Sequence, residues 1–179
     1  LHAYAVSILP DVLAPELDVV FCGSAAGAVS ARVGAYYAGP GNRFWPTLAA
    51  VGLTPVELPP ERFRDLPRHG LGLTDLCQTA AGADSELPAG ADDPAALDAK
   101  IRRYRPRVLA FVGKRPAKAF LHRRQVDTGW QAASPFGETA LFVLPSPSGA
   151  ARGSWDIRPW RELAAHVGRP PQPTAGGTP

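Results

Sequence analysis

Two cysteines, Cys22 and Cys77, are all that the chain carries. They cannot build a four-cysteine zinc or iron–sulfur site, and in a reducing cytosol such a pair stays unbridged. No apolar run approaches the roughly 18 residues of a membrane-spanning helix, and no basic-then-apolar leader opens the sequence, so a soluble intracellular protein is expected. Acidic residues are missing from one long stretch. From Lys100 to Arg124 stand ten basic residues, Lys100, Arg102, Arg103, Arg105, Arg107, Lys114, Arg115, Lys118, Arg123 and Arg124, and no aspartate or glutamate. The other nine basic residues share the chain with 16 acidic ones, so the formal charge of +3 divides into a basic segment on an acidic body. Such a segment suits a phosphate backbone, whose neutralisation releases counterions. The alternative is a solvated helix face whose arginines pair with acids elsewhere in the fold.

What is present suits a globular chain. Its 179 residues fit one domain, and 45% hydrophobic with 20% charged residues excludes disorder of the whole. Glycine (18) and proline (20) make up about a fifth of the chain, which predicts many shaped loops. Leu17–Cys22, Leu71–Leu76, Arg107–Val112 and Ala140–Pro145 are short apolar runs bounded by turn residues, the pattern of buried strands. Between them, Asn42 caps a helix that starts near Phe44 and stops at Gly52, Pro94 opens a helix to about Tyr104, and a basic helix runs from about Arg115 to His122. Strands alternating with helices predict a three-layer α/β/α fold around a mainly parallel four-stranded sheet. Residues 1–168 read as the single domain, and 169–179, without hydrophobic periodicity, as a Pro/Gly-rich tail.

Ligands of such sheets bind beyond the carboxyl ends of the strands. Those ends carry Gly23-Ser24-Ala25-Ala26-Gly27, Asp75, Gly113-Lys114 and Ser146-Pro147-Ser148-Gly149. The first has neither the phosphate-loop nor the dinucleotide pattern and by itself is a glycine turn. More specific is Tyr36-Tyr37-Ala38-Gly39-Pro40-Gly41-Asn42-Arg43-Phe44-Trp45, an aromatic pair, a rigid turn, a cap and an aromatic anchor.

These segments give the chain, over residues 9 to 167, a family likeness: it resembles the mismatch-specific uracil/thymine DNA glycosylases of the uracil-DNA glycosylase superfamily. In that family the first strand ends in Gly-Ile-Asn-Pro-Gly, an aromatic precedes Pro-x-Asn-Arg-Phe-Trp, and the last strand ends in Asn-Pro-Ser-Gly-Leu-x-Arg. The counterparts here are Gly23-Ser24-Ala25-Ala26-Gly27, Tyr37 before Pro40–Trp45, and Ser146-Pro147-Ser148-Gly149-Ala150-Ala151-Arg152. Three departures stand out. The asparagine that positions the hydrolytic water in the family falls at Ala25, the base-contacting asparagine at Ser146, and the wedge leucine at Ala150. Asn42, the only asparagine in the chain, matches a structural position of the motif.

The resemblance implies base flipping and hydrolysis of an N-glycosidic bond through an oxocarbenium-like sugar, which needs a nearby anion and a held water. A carboxylate does both. Asp75, at the end of the second strand where relatives place a base-contacting side chain, is the first choice; Asp84 in the following loop is the second, with Glu86 beyond it. A plain capping role is the alternative for Asp75. Ser24, Ala25, Tyr37 and Ser146 are the expected base-binding positions, Tyr37 as the stacking aromatic with Tyr36 as its spare. Lys114, Arg115, Ser148, Gly149, Ala150 and Arg152 are the expected DNA contacts.

The three lysines are not placed for Schiff-base chemistry, and His69, His122 and His166 share no metal spacing. The expectation is a monofunctional hydrolase without metal or cofactor, a monomer acting on uracil-containing, mismatched or single-stranded DNA in the bacterial cytoplasm or nucleoid, with no membrane partner. The alternative, raised by Ala25, is a catalytically silent module of the same fold that binds damaged DNA or a nucleotide.

Overall fold

The computed structural model describes residues 7–168, so the tail expected at 169–179 lies outside the described residues. Five strands, β1 (Val19–Gly23), β2 (Leu71–Asp75), β3 (Val108–Val112), β4 (Gly129–Trp130) and β5 (Ala140–Leu144), form one sheet in the order β2-β1-β3-β5-β4. The first three pairings are parallel, and β4 closes the edge antiparallel to β5. The sequence predicts four strands. The fifth is only two residues long, too short to show any alternation, and exists through its pairing with Phe142 and Val143.

Helices cover both faces, as right-handed parallel crossovers require. On one side α1 (Ala28–Val33), α2 (Phe44–Ala50), a 3-10 segment (Pro60–His69) and α5 (Arg158–Val167) enclose Val19, Phe21, Leu71, Leu73, Phe142 and Leu144. On the other, α3 (Pro94–Tyr104) and α4 (Lys114–Leu121) cover Val20, Cys22, Leu109, Phe111, Leu141 and Val143. β1, β3 and β5 are internal strands buried on both faces and read as apolar runs, while β2, at the end of the strand order, is legible from Leu71, Leu73 and the polar residues that close it. The sequence predicts neither α1 nor α5, although in α5 Trp160, Leu163, Ala164 and Val167 face the core at helical spacing.

Local chemistry sets the helix ends. Asp93 accepts the Ala96 N–H at 3.0 Å while Pro94 occupies the first turn, and Arg105 stops α3 in a left-handed conformation with φ 47°. Asn42 Oδ1 accepts the Phe44 N–H at 2.9 Å, one residue ahead of the helical N-cap, and Gly52 turns the chain at φ 83°. No described helix is long and apolar enough to cross a membrane.

Candidate active site

The parallel sheet delivers Gly23, Asp75, Gly113 and the start of the 145–149 loop to one edge, its carboxyl end. Gly23 and Asp75 are register partners on β1 and β2. Asp75 follows Leu71 and Leu73 on the face covered by α1, α2 and α5, and it is 7% exposed. Burial pushes its carboxyl from an ordinary 3.8 up to about 7; the negative charge of Asp11 adds to the rise and the Lys100 ammonium opposes it. Asp75 is therefore divided between acid and carboxylate near neutral pH. Asp84, the other candidate, stands exposed on a 3-10 turn, Asp84–Glu86.

Above Gly23 two oxygens converge. A Cβ at this position would lie 2.7 Å from Asp75 Oδ1 and 3.0 Å from Tyr37 Oη, so only glycine leaves room between them. Tyr37 adopts φ 53°, a left-handed conformation that non-glycine residues seldom take. Its ring is stacked on Phe44 at 4.1 Å between centroids and 25° between planes. Phe44 is fully buried and braced edge-on by Phe21 and Trp45. The Tyr37 ring is half-buried, whereas its hydroxyl is buried and has no hydrogen-bond partner within the protein. Burial, reinforced by the Asp75 charge, pushes that hydroxyl well above the usual phenol range, so it stays protonated. Tyr36 is unavailable as a spare: it is 2% exposed in the core, its hydroxyl donates to Pro10 O at 3.0 Å, and its backbone carbonyl accepts from Trp45 Nε1 at 2.9 Å.

The loop after β1 is stitched to the loop after β2. Cys77 N donates to Ser24 O at 2.7 Å and Gly82 N to Ala26 O at 2.9 Å. Ser24 Oγ is buried and, like Tyr37 Oη, has no protein partner, while Ala25 is half-buried. The loop after β5 is pinned to the turn before α2: Arg43 N donates to Pro147 O at 2.8 Å, and Gly149 lies so close that a Cβ would be 3.2 Å from Pro40 O. Within it Ser146 Oγ accepts from Ser148 N and Ser148 Oγ from Ala150 N, which presents Ala150 exposed at the rim. Arg152 belongs to the following 3-10 turn, and its side chain lies outside the described residues.

The basic segment is partly consumed inside the fold. Arg115 forks onto Asp92 at 2.8 and 2.9 Å, Arg102 pairs with Asp98, Arg107 with Asp18, and Lys100 with Asp11 at 2.8 Å. Lys114 stays exposed at the start of α4. The alternative reading of this segment, arginines paired with acids elsewhere in the fold, therefore describes Arg107 and Arg115, while Arg102 pairs within its own helix and Lys100 is a lysine held in the same way.

Sequence reasoning missed one cluster. Asp11 accepts from Thr74 Oγ1 at 2.7 Å, from Gln78 Nε2 in a short contact, and from Lys100, which also donates to Gln78 Oε1 at 3.0 Å. It adjoins Val12, which bridges antiparallel to Leu73 on the outer edge of β2, and residues 11, 74, 78 and 100 share no pattern along the chain. A cavity of about 430 Å³ beside it is lined by Asp75, Gln78, Asp92 and Lys100 among others. A larger open groove of about 800 Å³, between α3, α4 and residues 133–135, includes none of the residues gathered at the strand ends. Among the described residues no cluster of three or more histidine, cysteine or acidic side chains could hold a metal ion.

The site thus combines a buried, half-ionised carboxylate with an aromatic shelf and two unpartnered hydroxyls, framed by two rigid loops. A candidate uracil DNA glycosylase from Methanosarcina acetivorans, solved by solution NMR, has the same fold, with a TM-score of 0.64 over 89% of this chain and 96% of that one at 23% identity. A family model described as the Uracil DNA glycosylase superfamily matches residues 10–165, which takes in every strand and both framing loops. The chain belongs to the uracil DNA glycosylase superfamily, DNA-repair hydrolases that act on DNA.

Proposed function

We propose that the protein is a monofunctional DNA glycosylase that removes uracil, along with mismatched thymine or other damaged bases, from DNA by flipping the base and leaving an abasic site. The observation that carries this reading is Asp75, a carboxylate buried at the floor of the strand-end site with its ionisation balanced near neutrality. In its ionised form it stabilises the developing oxocarbenium sugar and accepts the proton of the attacking water, and both effects are stronger in a desolvated site than in bulk solvent. Ala25 supplies no amide, so the chemistry that relatives assign to asparagine passes to Asp75.

Tyr37 offers the flipped base the ring face that Phe44 does not cover, and Ser24 and Ser146 supply polar edges near it. Ser148, Gly149, Ala150 and Arg152 meet the DNA backbone and the gap left by the base, and Lys114 adds phosphate contact from the start of α4. Lys100 is held by Asp11, which fits hydrolysis rather than Schiff-base chemistry. The protein acts as a monomer on mismatched, uracil-containing or single-stranded DNA.

The test is single-turnover cleavage at abasic sites in a uracil-containing oligonucleotide. Asp75→Asn is expected to lower the rate about a hundredfold or more with DNA affinity little changed, and Asp84→Asn to leave the rate alone. Full activity in Asp75→Asn with loss in Asp84→Asn moves the role to Asp84. A wild-type protein that binds uracil-containing DNA without cutting it establishes the second reading, a silent binding module, which the missing amide at Ala25 favours.

A further inference from the structure

The stacking role assigned to Tyr37 needs only a ring. Phenylalanine would supply it without burying a polar atom, yet the chain places a phenol here and leaves its oxygen buried without a protein partner. Buried polar groups that stay unpaired are rare because each has lost its water without recompense, and such a group at a site points to a ligand atom. The surroundings are specific. Tyr37 Oη and Asp75 Oδ1 both lie within 3.0 Å of the point where a Gly23 Cβ would stand. They make no hydrogen bond to each other, and only a glycine at position 23 lets both oxygens converge on the same point. The backbone of Tyr37 accepts an unfavourable φ of 53°, and the Phe44 stack locks the ring in that pose.

We propose that the Tyr37 hydroxyl is a catalytic group that holds the attacking water against Asp75, in addition to any stacking of its ring on the flipped base. This rests on the glycosylase reading above. The water accepts the phenol O–H and donates one of its own hydrogens to Asp75 Oδ1, which turns its remaining lone pair toward the sugar. The C1′–N bond breaks and its electron pair leaves with the base. The water oxygen forms the C1′–O bond as its proton passes to the Asp75 carboxylate, and that proton is then returned to the departing base anion or to solvent. The phenol donates throughout and loses no proton, consistent with a hydroxyl held firmly in its protonated form by burial and the neighbouring carboxylate. Ser24 Oγ, buried and equally unpartnered beside Gly23, is available to the base. A water held between a phenol and a carboxylate replaces the amide that Ala25 lacks.

Tyr37→Phe separates the hydroxyl from the ring. In single-turnover assays on a uracil-containing oligonucleotide, the cleavage rate is expected to fall about a hundredfold, while affinity for the same DNA stays within about twofold. The variant should unfold at or above the wild-type temperature, because it loses an unpaired buried hydroxyl and keeps the stack. A wild-type cleavage rate in Tyr37→Phe overturns the proposal, as does a lowered rate matched by an equal loss of affinity, which marks a ring-packing role. Failure of the glycosylase reading looks different: the wild-type protein itself then cuts nothing. If the wild type cuts, Asp75→Asn does not, and Tyr37→Phe cuts normally, only the role of the hydroxyl falls.

Discussion

Replacing Asp75 by asparagine should stabilise the protein in alkaline solution and leave it nearly unchanged in acid. A carboxyl whose value rises on folding holds its proton more tightly in the folded chain. Between 3.8 and about 7 the folded chain keeps a proton that the unfolded chain has lost, so stability falls as pH rises through this window. Above it the full cost of a buried carboxylate is present. At about 1.4 kcal/mol per pH unit, the interval sets a ceiling of about 4 kcal/mol. Asparagine does not ionise and removes this cost, but its amide must itself be accommodated beside Gly23 and Tyr37. The expected gain at pH 8.5 is therefore about 2 to 4 kcal/mol over the gain at pH 4, or roughly 5–10 °C in Tm for a chain of this size. Urea unfolding of both proteins at the two pH values measures it, and groups other than Asp75 cancel in the difference. An identical difference at both pH values would refute the argument that burial has raised this carboxyl. Because the same substitution is expected to lower the cleavage rate about a hundredfold or more, the site trades stability for chemistry.

Two other outcomes follow from the charged groups. Lys100→Gln removes the cation that lowers Asp75 and leaves Asp11 uncompensated, so the rising limb of the pH–rate profile, expected near pH 7 in the wild type, should move to higher pH; a limb that stays in place breaks the link between this ion pair and Asp75. Lys114→Ala should flatten the slope of log affinity for DNA against log salt by about one, whereas Arg115→Ala, already paired with Asp92, should change the slope less and lower stability by about 1 kcal/mol; equal slope changes in both would show that DNA displaces Asp92.

Much of the architecture was legible along the chain because its determinants are local. Leu17–Cys22 and Arg107–Val112 read as strands since central strands are apolar on both faces, and Asp93-Pro94 and Asn42 mark helix starts by hydrogen bonds spanning two or three residues. The resemblance carried by the Tyr37–Trp45 and Ser146–Arg152 segments brought Tyr37 forward, the carboxyl end of the second strand brought Asp75, and the close approach of Gly149 to Pro40 holds those two loops against each other. What the chain could not reveal is everything set by partners far away in sequence. Asp75 and Asp84 are the same residue type nine positions apart, and only folding buries one and exposes the other. The ten basic residues form one uninterrupted pattern, yet four of them are neutralised by Asp11, Asp18, Asp92 and Asp98. The ionisation of Asp75 depends on a lysine 25 residues away and an aspartate 64 residues away, and the room for the Tyr37 hydroxyl beside Asp75 depends on the glycine that ends β1. Periodicity records which side of an element meets the core; which charges meet one another, and how much water is excluded around them, is decided only when the elements pack.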